Sequence, residues 1–163
     1  MKGTVRVQAA LEAAGLAVRV VTLEGSARTA QLAADALHTE LGSIVKSLVF
    51  LADGEATLVL VAGDRRADPA KLRQLLAARR VMIADAETVR RETGYAVGGV
   101  PPVGHARALP VWIDNSLGRF ETVYAAAGHP HAVFPIPFQA LVQITGGHVA
   151  DVTDNPIEED QEA

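Results

Sequence analysis

One lysine stands where lysines rarely stand. Within Ser43-Ile44-Val45-Lys46-Ser47-Leu48-Val49-Phe50-Leu51, strand alternation places Ile44, Lys46, Leu48 and Phe50 on one face and Val45, Ser47, Val49 and Leu51 on the other. Both faces are largely apolar, the pattern of a strand covered on both sides. An ammonium in such a strand is costly to desolvate. Either its stem runs along apolar surface to water, or its head enters a polar cavity that uses it. The second segment with chemical potential is Tyr95-Ala96-Val97-Gly98-Gly99-Val100-Pro101-Pro102-Val103-Gly104-His105. Its glycines and prolines fit neither helix nor central strand. The paired prolines stiffen it, and Gly98-Gly99 bares backbone N–H groups of the kind that receive an anion or a carbonyl oxygen. A plain connecting loop is the alternative.

Other chemistries find little support. The chain has no cysteine, which removes thiol nucleophiles, disulfides and cysteine-based zinc sites. His129 and His131 flank one residue beside Pro130, without an evident third ligand, so no metal is expected. His38, His105 and His148 are dispersed. No serine nucleophile elbow, phosphate-binding loop or dinucleotide fingerprint is present, and no cofactor is implied.

The elements that must position these residues follow from periodicity and punctuation. Val7, Ala10, Leu11 and Ala14 recur at helical spacing, with Thr4 as the candidate cap and Gly15 as the stop. Val18 to Leu23 is a short β-branched run, and Glu24-Gly25-Ser26 turns the chain. Thr29 caps a helix from Ala30 to Leu37 whose Ala- and Leu-rich side packs on something flat. Asp53-Gly54 joins the lysine strand to Thr57–Ala62 as a hairpin. Asp68-Pro69 and Asp85 start two further helices, the second stopping at Gly94, with Val81–Ile83 as a strand between them. Strands at Leu109–Ile113, Thr122–Ala126 and His131–Phe134 follow, then a helix from Pro137 to Ile144 and a last strand, His148 to Val152.

The predicted class is α+β: a curved mixed, largely antiparallel, barrel-like sheet flanked by helices. At 163 residues with 49% hydrophobic and only 4% aromatic content, a single domain over residues 1–154 is expected, its core built from Val, Leu, Ile and Ala. The acidic residues 155–163 read as a disordered tail. Net charge is −4, which argues against coating nucleic acid by bulk charge. Yet eight of the 15 basic residues fall between Arg65 and Arg91, either as solvated helix faces or as a phosphate-contacting edge. No apolar run spans a bilayer and the N-terminus is not a signal peptide, so a cytoplasmic protein with no membrane partner is expected. The oligomeric state is left open.

The residues also carry a resemblance. Thr29-Ala30 through Ala33-Ala34, Ile44 to Phe50, Leu60-Val61-Ala62-Gly63-Asp64, Thr93-Gly94-Tyr95, Gly98 to His105, and Gly128-His129-Pro130 together resemble the YbaK/EbsC family. This is the family of the prolyl-tRNA synthetase-associated editing domain and its free-standing relatives. The likeness runs from about residue 4 to residue 152, and the Gly-rich Pro-Pro-x-Gly-His string some fifty residues after the lysine is its specific part. It implies a free-standing, trans-editing aminoacyl-tRNA deacylase, most simply for proline tRNA carrying a small wrong amino acid such as Cys or Ala. Its functional lysine maps onto Lys46, and its glycine-to-proline loop onto Gly98, Gly99, Pro101 and Pro102, with His105 closing the string. Asp114 and Gly128, His129 and Pro130 match positions around the same pocket, and Ser47 stands where substrate choice is felt. The implied partner is the tRNA acceptor end, with a synthetase as a further one, and Arg65, Arg66, Arg79 and Arg80 are the phosphate-contact candidates. A different class of reading is a non-catalytic module that grips an aminoacyl end or small ligand and regulates a partner.

Overall fold

The computed structural model describes residues 2–25 and 29–154. Ser26 of the expected turn and the acidic tail at 155–163 lie outside the described residues. The elements in order are α1 (Lys2–Ala13), β1 (Val21–Thr22), α2 (Ala30–Leu37), β2 (Val45–Ala52), β3 (Glu55–Ala62), α3 (Pro69–Leu76), β4 (Val81–Ile83), α4 (Ala86–Thr93), β5 (Val111–Asp114), β6 (Thr122–Ala126), β7 (Ala132–Pro137), α5 (Phe138–Thr145) and β8 (His148–Ala150).

Local signals start and stop these elements. The Leu32 N–H donates to Thr29 Oγ1 at 3.2 Å, and the Ala70 N–H donates to the Asp68 carboxylate at 2.9 Å, with Pro69 at the first helical position. Asp85 accepts from the Thr88 N–H at 2.8 Å. Each cap satisfies an amide that the first helical turn leaves without a partner. At the hairpin between β2 and β3, Asp53 and Gly54 both take positive φ, 50° and 87°. This backbone twist matches that of the paired strands.

β3 is the centre of a five-stranded sheet ordered β4-β2-β3-β5-β8, and Leu58 through Ala62 are all fully buried. The main core takes Val45 and Val49 from one face of β2 together with Leu58 and Leu60. The opposite face carries Phe50, Val59 and Val61 into a second cluster with Leu72, Val81 and Val152. The lysine strand is thus covered on both sides, as its composition predicts. A second sheet, β1-β7-β6, packs against the first through the main core, and among the described residues one parallel bridge, Ile44 to Tyr124, links their backbones.

The expected barrel-like sheet is corrected here. Among the described residues there are two sheets, mixed in direction, and no closed barrel. Four of the six strand pairs are antiparallel; β3–β5 and β5–β8 are parallel. Several boundaries also move, each for a local reason. α1 begins ahead of Thr4, at Lys2. The run at 18–23 yields only a two-residue strand because the Gln8 amide intercepts it, donating to the Val18 carbonyl (3.0 Å) and accepting from the Val20 N–H (2.9 Å). β7 runs through Pro135 to Pro137; β1 pairs only at Val133 and Ala132, so neither proline leaves that neighbour short of an amide. β8 ends at Ala150 because residues 151–154 leave the sheet to pair elsewhere.

Candidate functional site

The N-terminal half of β2 forms the floor of a cavity of about 270 Å³. Ile44, Val45, Lys46, Ser47 and Leu48 line it from the strand, and Thr29, Ala30 and Ala33 from α2. Val97, Gly98 and Val100 come from the glycine-proline loop, and Tyr124, Ala125, Ala126 and Val133 from the second sheet. The alanines matter: their short side chains leave the space that larger residues would fill. The lining is mostly apolar, with polar groups confined to a few places, the usual composition of a small-molecule pocket.

Lys46 Nζ donates to the backbone carbonyl of Arg65 at 2.5 Å. Burial, then the Arg66 cation, hold the lysine below its ordinary proton affinity, while Asp114, Asp64 and Asp154 oppose them. The next residue, Ser47, lies on the strand's other face; its Oγ is buried and has no hydrogen-bond partner among the described residues. A buried hydroxyl of this kind is an available polar contact in an otherwise apolar wall.

The glycine-proline loop is braced from within and from α1. His105 Nε2 bonds the Pro101 carbonyl at 2.6 Å, and the Tyr95 hydroxyl donates to the Gly104 carbonyl at 2.6 Å. Burial pulls the His105 proton affinity down, opposed by that bond to Pro101. The Tyr95 hydroxyl is likewise made less acidic by burial. The Arg6 guanidinium lies over the Tyr95 ring, 4.8 Å from its centre. Gly99 packs so closely on His129 that an added Cβ would lie 3.1 Å from the His129 nitrogen. Gly128 takes φ +91°, and its Cβ would come within 2.8 Å of the Gly3 backbone. These glycines let α1, the loop and the 128–130 turn meet without side chains between them.

The sequence-derived residues therefore divide. Lys46, Ser47 and Gly98 line the cavity; Gly99, Pro101, Pro102, His105, Gly128, His129 and Pro130 are absent from its lining. The Gly99 N–H donates to the Ala96 carbonyl at 3.0 Å and is engaged in the loop's own turn. The Gly98 N–H donates to no group among the described residues. Asp114, fully buried, accepts from the Ala62 N–H (2.9 Å), the Ser116 N–H (2.8 Å) and the Ser116 hydroxyl (2.7 Å), and so ties β5 to the end of β3. The His131 N–H donates to His129 Nδ1 at 3.1 Å, which leaves the neutral ring's proton on Nε2. Among the described residues, no group of three or more His, Asp or Glu is placed to hold a metal ion. Arg65 and Arg66 adjoin Lys46. The Arg79 and Arg80 amides instead bind Asp53 at the far end of the β2–β3 hairpin, seven residues along the strand from Lys46, or about 23 Å.

The cavity walls from α2 and the second sheet are what sequence reasoning missed. The Ala-rich face of residues 30–37 is the signal that pointed toward them, since small residues let a helix lie close to a strand.

Fold and pocket together define an α+β domain with a small, mostly apolar cavity beside a strand lysine and a glycine-rich loop. The chain belongs to the aminoacyl-tRNA editing domain family, whose model matches residues 24–144. Among solved structures it is similar to one described as a candidate trans-editing enzyme for prolyl tRNA synthetase (TM-score 0.89, 43% identity, 94% of this chain and 98% of that one). The uncharacterized protein YwhH of Bacillus subtilis is 38% identical over 127 residues, 77% of this chain and 80% of that protein. The proline–tRNA ligase of Desulfovibrio desulfuricans is 40% identical over 97 residues, 58% of this chain and 17% of the ligase.

Proposed function

We propose that this protein is an aminoacyl-tRNA deacylase that hydrolyses the ester between a wrongly attached amino acid and the terminal ribose of a tRNA. The observation that carries the reading is the cavity itself: small, apolar, walled by alanines, with Lys46 and Gly98 on its lining. The acyl side chain takes the apolar space. The Lys46 ammonium meets oxygens of the tRNA 3′ end, exchanging or sharing its bond to Arg65. The Gly98 N–H receives the ester oxygen as it gains negative charge, a contribution worth about 3 kcal/mol per donor in other enzymes. Gly99 shapes this loop rather than donating, because its N–H is engaged with Ala96. A water molecule attacks the ester carbon, its oxygen entering the released carboxylate, with a hydroxyl of the substrate itself placed to take its proton. The C–O bond to the ribose breaks, the ribose oxygen takes up a proton, and free amino acid and tRNA result.

Selection is by size: a cavity of this volume shuts out large side chains more sharply than it rejects small ones. The favoured substrate is proline tRNA carrying a small amino acid such as Cys or Ala. Its support is the likeness to a candidate prolyl-tRNA editing enzyme and to segments of proline–tRNA ligases. Arg65 and Arg66 contact phosphates near the 3′ end, and Arg79 and Arg80 contact the acceptor arm farther out.

The test is a deacylation assay on a panel of mischarged tRNAs, wild type beside Lys46→Ala. Wild type releases a small amino acid, and Lys46→Ala, still folded by circular dichroism, loses about a hundredfold or more. Binding without release from any panel member overturns the hydrolase and leaves a module that grips the aminoacyl end.

A further inference from the structure

The family match ends at residue 144, yet the chain beyond it returns to Lys46. After β8, residues 151–154 run back along the loop that follows β3. The Asp68 N–H donates to the Val152 carbonyl (2.8 Å), the Asp154 N–H donates to the Arg66 carbonyl (3.0 Å), and Ala67 and Thr153 form an antiparallel bridge. Lys71 fastens this strap, its Nζ donating to the Thr153 carbonyl (2.7 Å) and to the Asp151 carboxylate (2.8 Å). Two successive carbonyls thus serve two purposes: that of Arg65 receives the Lys46 ammonium, and that of Arg66 receives the backbone of Asp154.

Three carboxylates act on Lys46 against the Arg66 cation: those of Asp114, Asp64 and Asp154. Two are already committed. Asp114 accepts three hydrogen bonds from Ala62 and Ser116. Asp64 is held in a two-pronged pair with Arg119, at 3.0 and 2.8 Å, and has Arg65 beside it at 3.8 Å. Asp154 is different: its Oδ1 is buried and has no partner among the described residues. A buried carboxylate oxygen left bare is destabilising, and an ammonium has three donors, of which Lys46 uses one on Arg65.

We propose that Asp154 is a positioning residue for Lys46, its unpartnered carboxylate being the second acceptor toward which the ammonium, resting on the Arg65 carbonyl, turns. The C-terminal strap then governs where the lysine's charge sits and whether it is kept. The family model does not supply this residue, since it lies beyond the matched segment 24–144. The effect on turnover rests on the deacylase reading; the pairing does not.

The chain has three lysines, Lys2, Lys46 and Lys71, so carbon-13 labelling at lysine Cε gives three titrating NMR signals, and Lys46→Arg identifies the one that belongs to Lys46. In Asp154→Asn the Lys46 midpoint falls by about one pH unit, and Asp154→Glu recovers most of the fall. Asp151→Asn, which loosens the strap without touching the proposed pair, leaves the midpoint in place. The pH profile of deacylation in Asp154→Asn moves in the same direction as the midpoint. An unmoved Lys46 midpoint in Asp154→Asn overturns the proposal whatever the deacylation rate does. An equal fall in Asp151→Asn also overturns it, because strap attachment or diffuse charge then explains the shift. A fall confined to Asp154→Asn in a protein that deacylates no tRNA upholds the pairing and overturns the deacylase reading alone.

Discussion

At residue scale, two half-buried polar side chains carry opposite consequences. Lys46 is held where burial opposes its charge, so its removal relieves a cost even as it removes a function. Lys46→Met is accordingly expected to melt at or above the wild-type temperature while deacylation collapses, the trade expected where a site is built against stability. His105 works the other way. Its folded proton affinity is lowered by burial, so the unfolded chain takes up the proton first as pH falls. The stability that neutral His105 contributes is complete above the unfolded value of about 6.5. It declines below that pH until the folded ring is itself protonated. His105→Gln removes this part of the pH dependence. Unfolding free energies of the two proteins, compared across about pH 5 to 8, should therefore converge toward the acid end.

At element scale, the glycine-proline loop owes its shape to neighbours far away in sequence. α1 reaches it through Gly3 on Gly128 and Arg6 on Tyr95. Gly128→Ala combines a left-handed backbone with a Cβ placed 2.8 Å from the Gly3 backbone. It is expected to cost about 1–3 kcal/mol, read as a lowered denaturation midpoint, and to weaken deacylation through displacement of the loop. A change in the α2 wall should do the reverse. Ala30 is half-buried and lines the cavity, and leucine suits a helix. Ala30→Leu is expected to leave stability within about 1 kcal/mol while narrowing the cavity. Release of the larger accepted amino acids then falls first, measured as a ratio of kcat/KM across the panel.

At the scale of the whole molecule, the basic residues do not form one edge. Arg65 and Arg66 stand beside Lys46 and the strap, whereas Arg79 and Arg80 sit at the hairpin end of the five-stranded sheet. Arg66→Ala is expected to weaken binding of both a full tRNA and a short acceptor-end hairpin, and to lower the salt slope by about one. Arg79→Ala together with Arg80→Ala should affect the full tRNA only. Equal losses on both RNAs from the hairpin-end pair would show that the acceptor end does not lie at Lys46.

The sequence by itself determined the parts whose physics is local. The lysine strand, the Asp53-Gly54 hairpin, the Thr29, Asp68 and Asp85 caps and the stiff loop at 98–105 follow from alternation, capping and turn chemistry acting over a few residues. The motifs that resemble the editing family were legible for the same reason. Only the tertiary structure decided the strand order and the parallel pairing of β3, β5 and β8. It also supplied the cavity walls from α2 and the second sheet, the engagement of the Gly99 N–H, and the return of Asp154 to Lys46. Each of these depends on which groups become neighbours once water is excluded. An unpartnered buried oxygen or a cavity left by alanines exists only after segments distant in the chain have packed together.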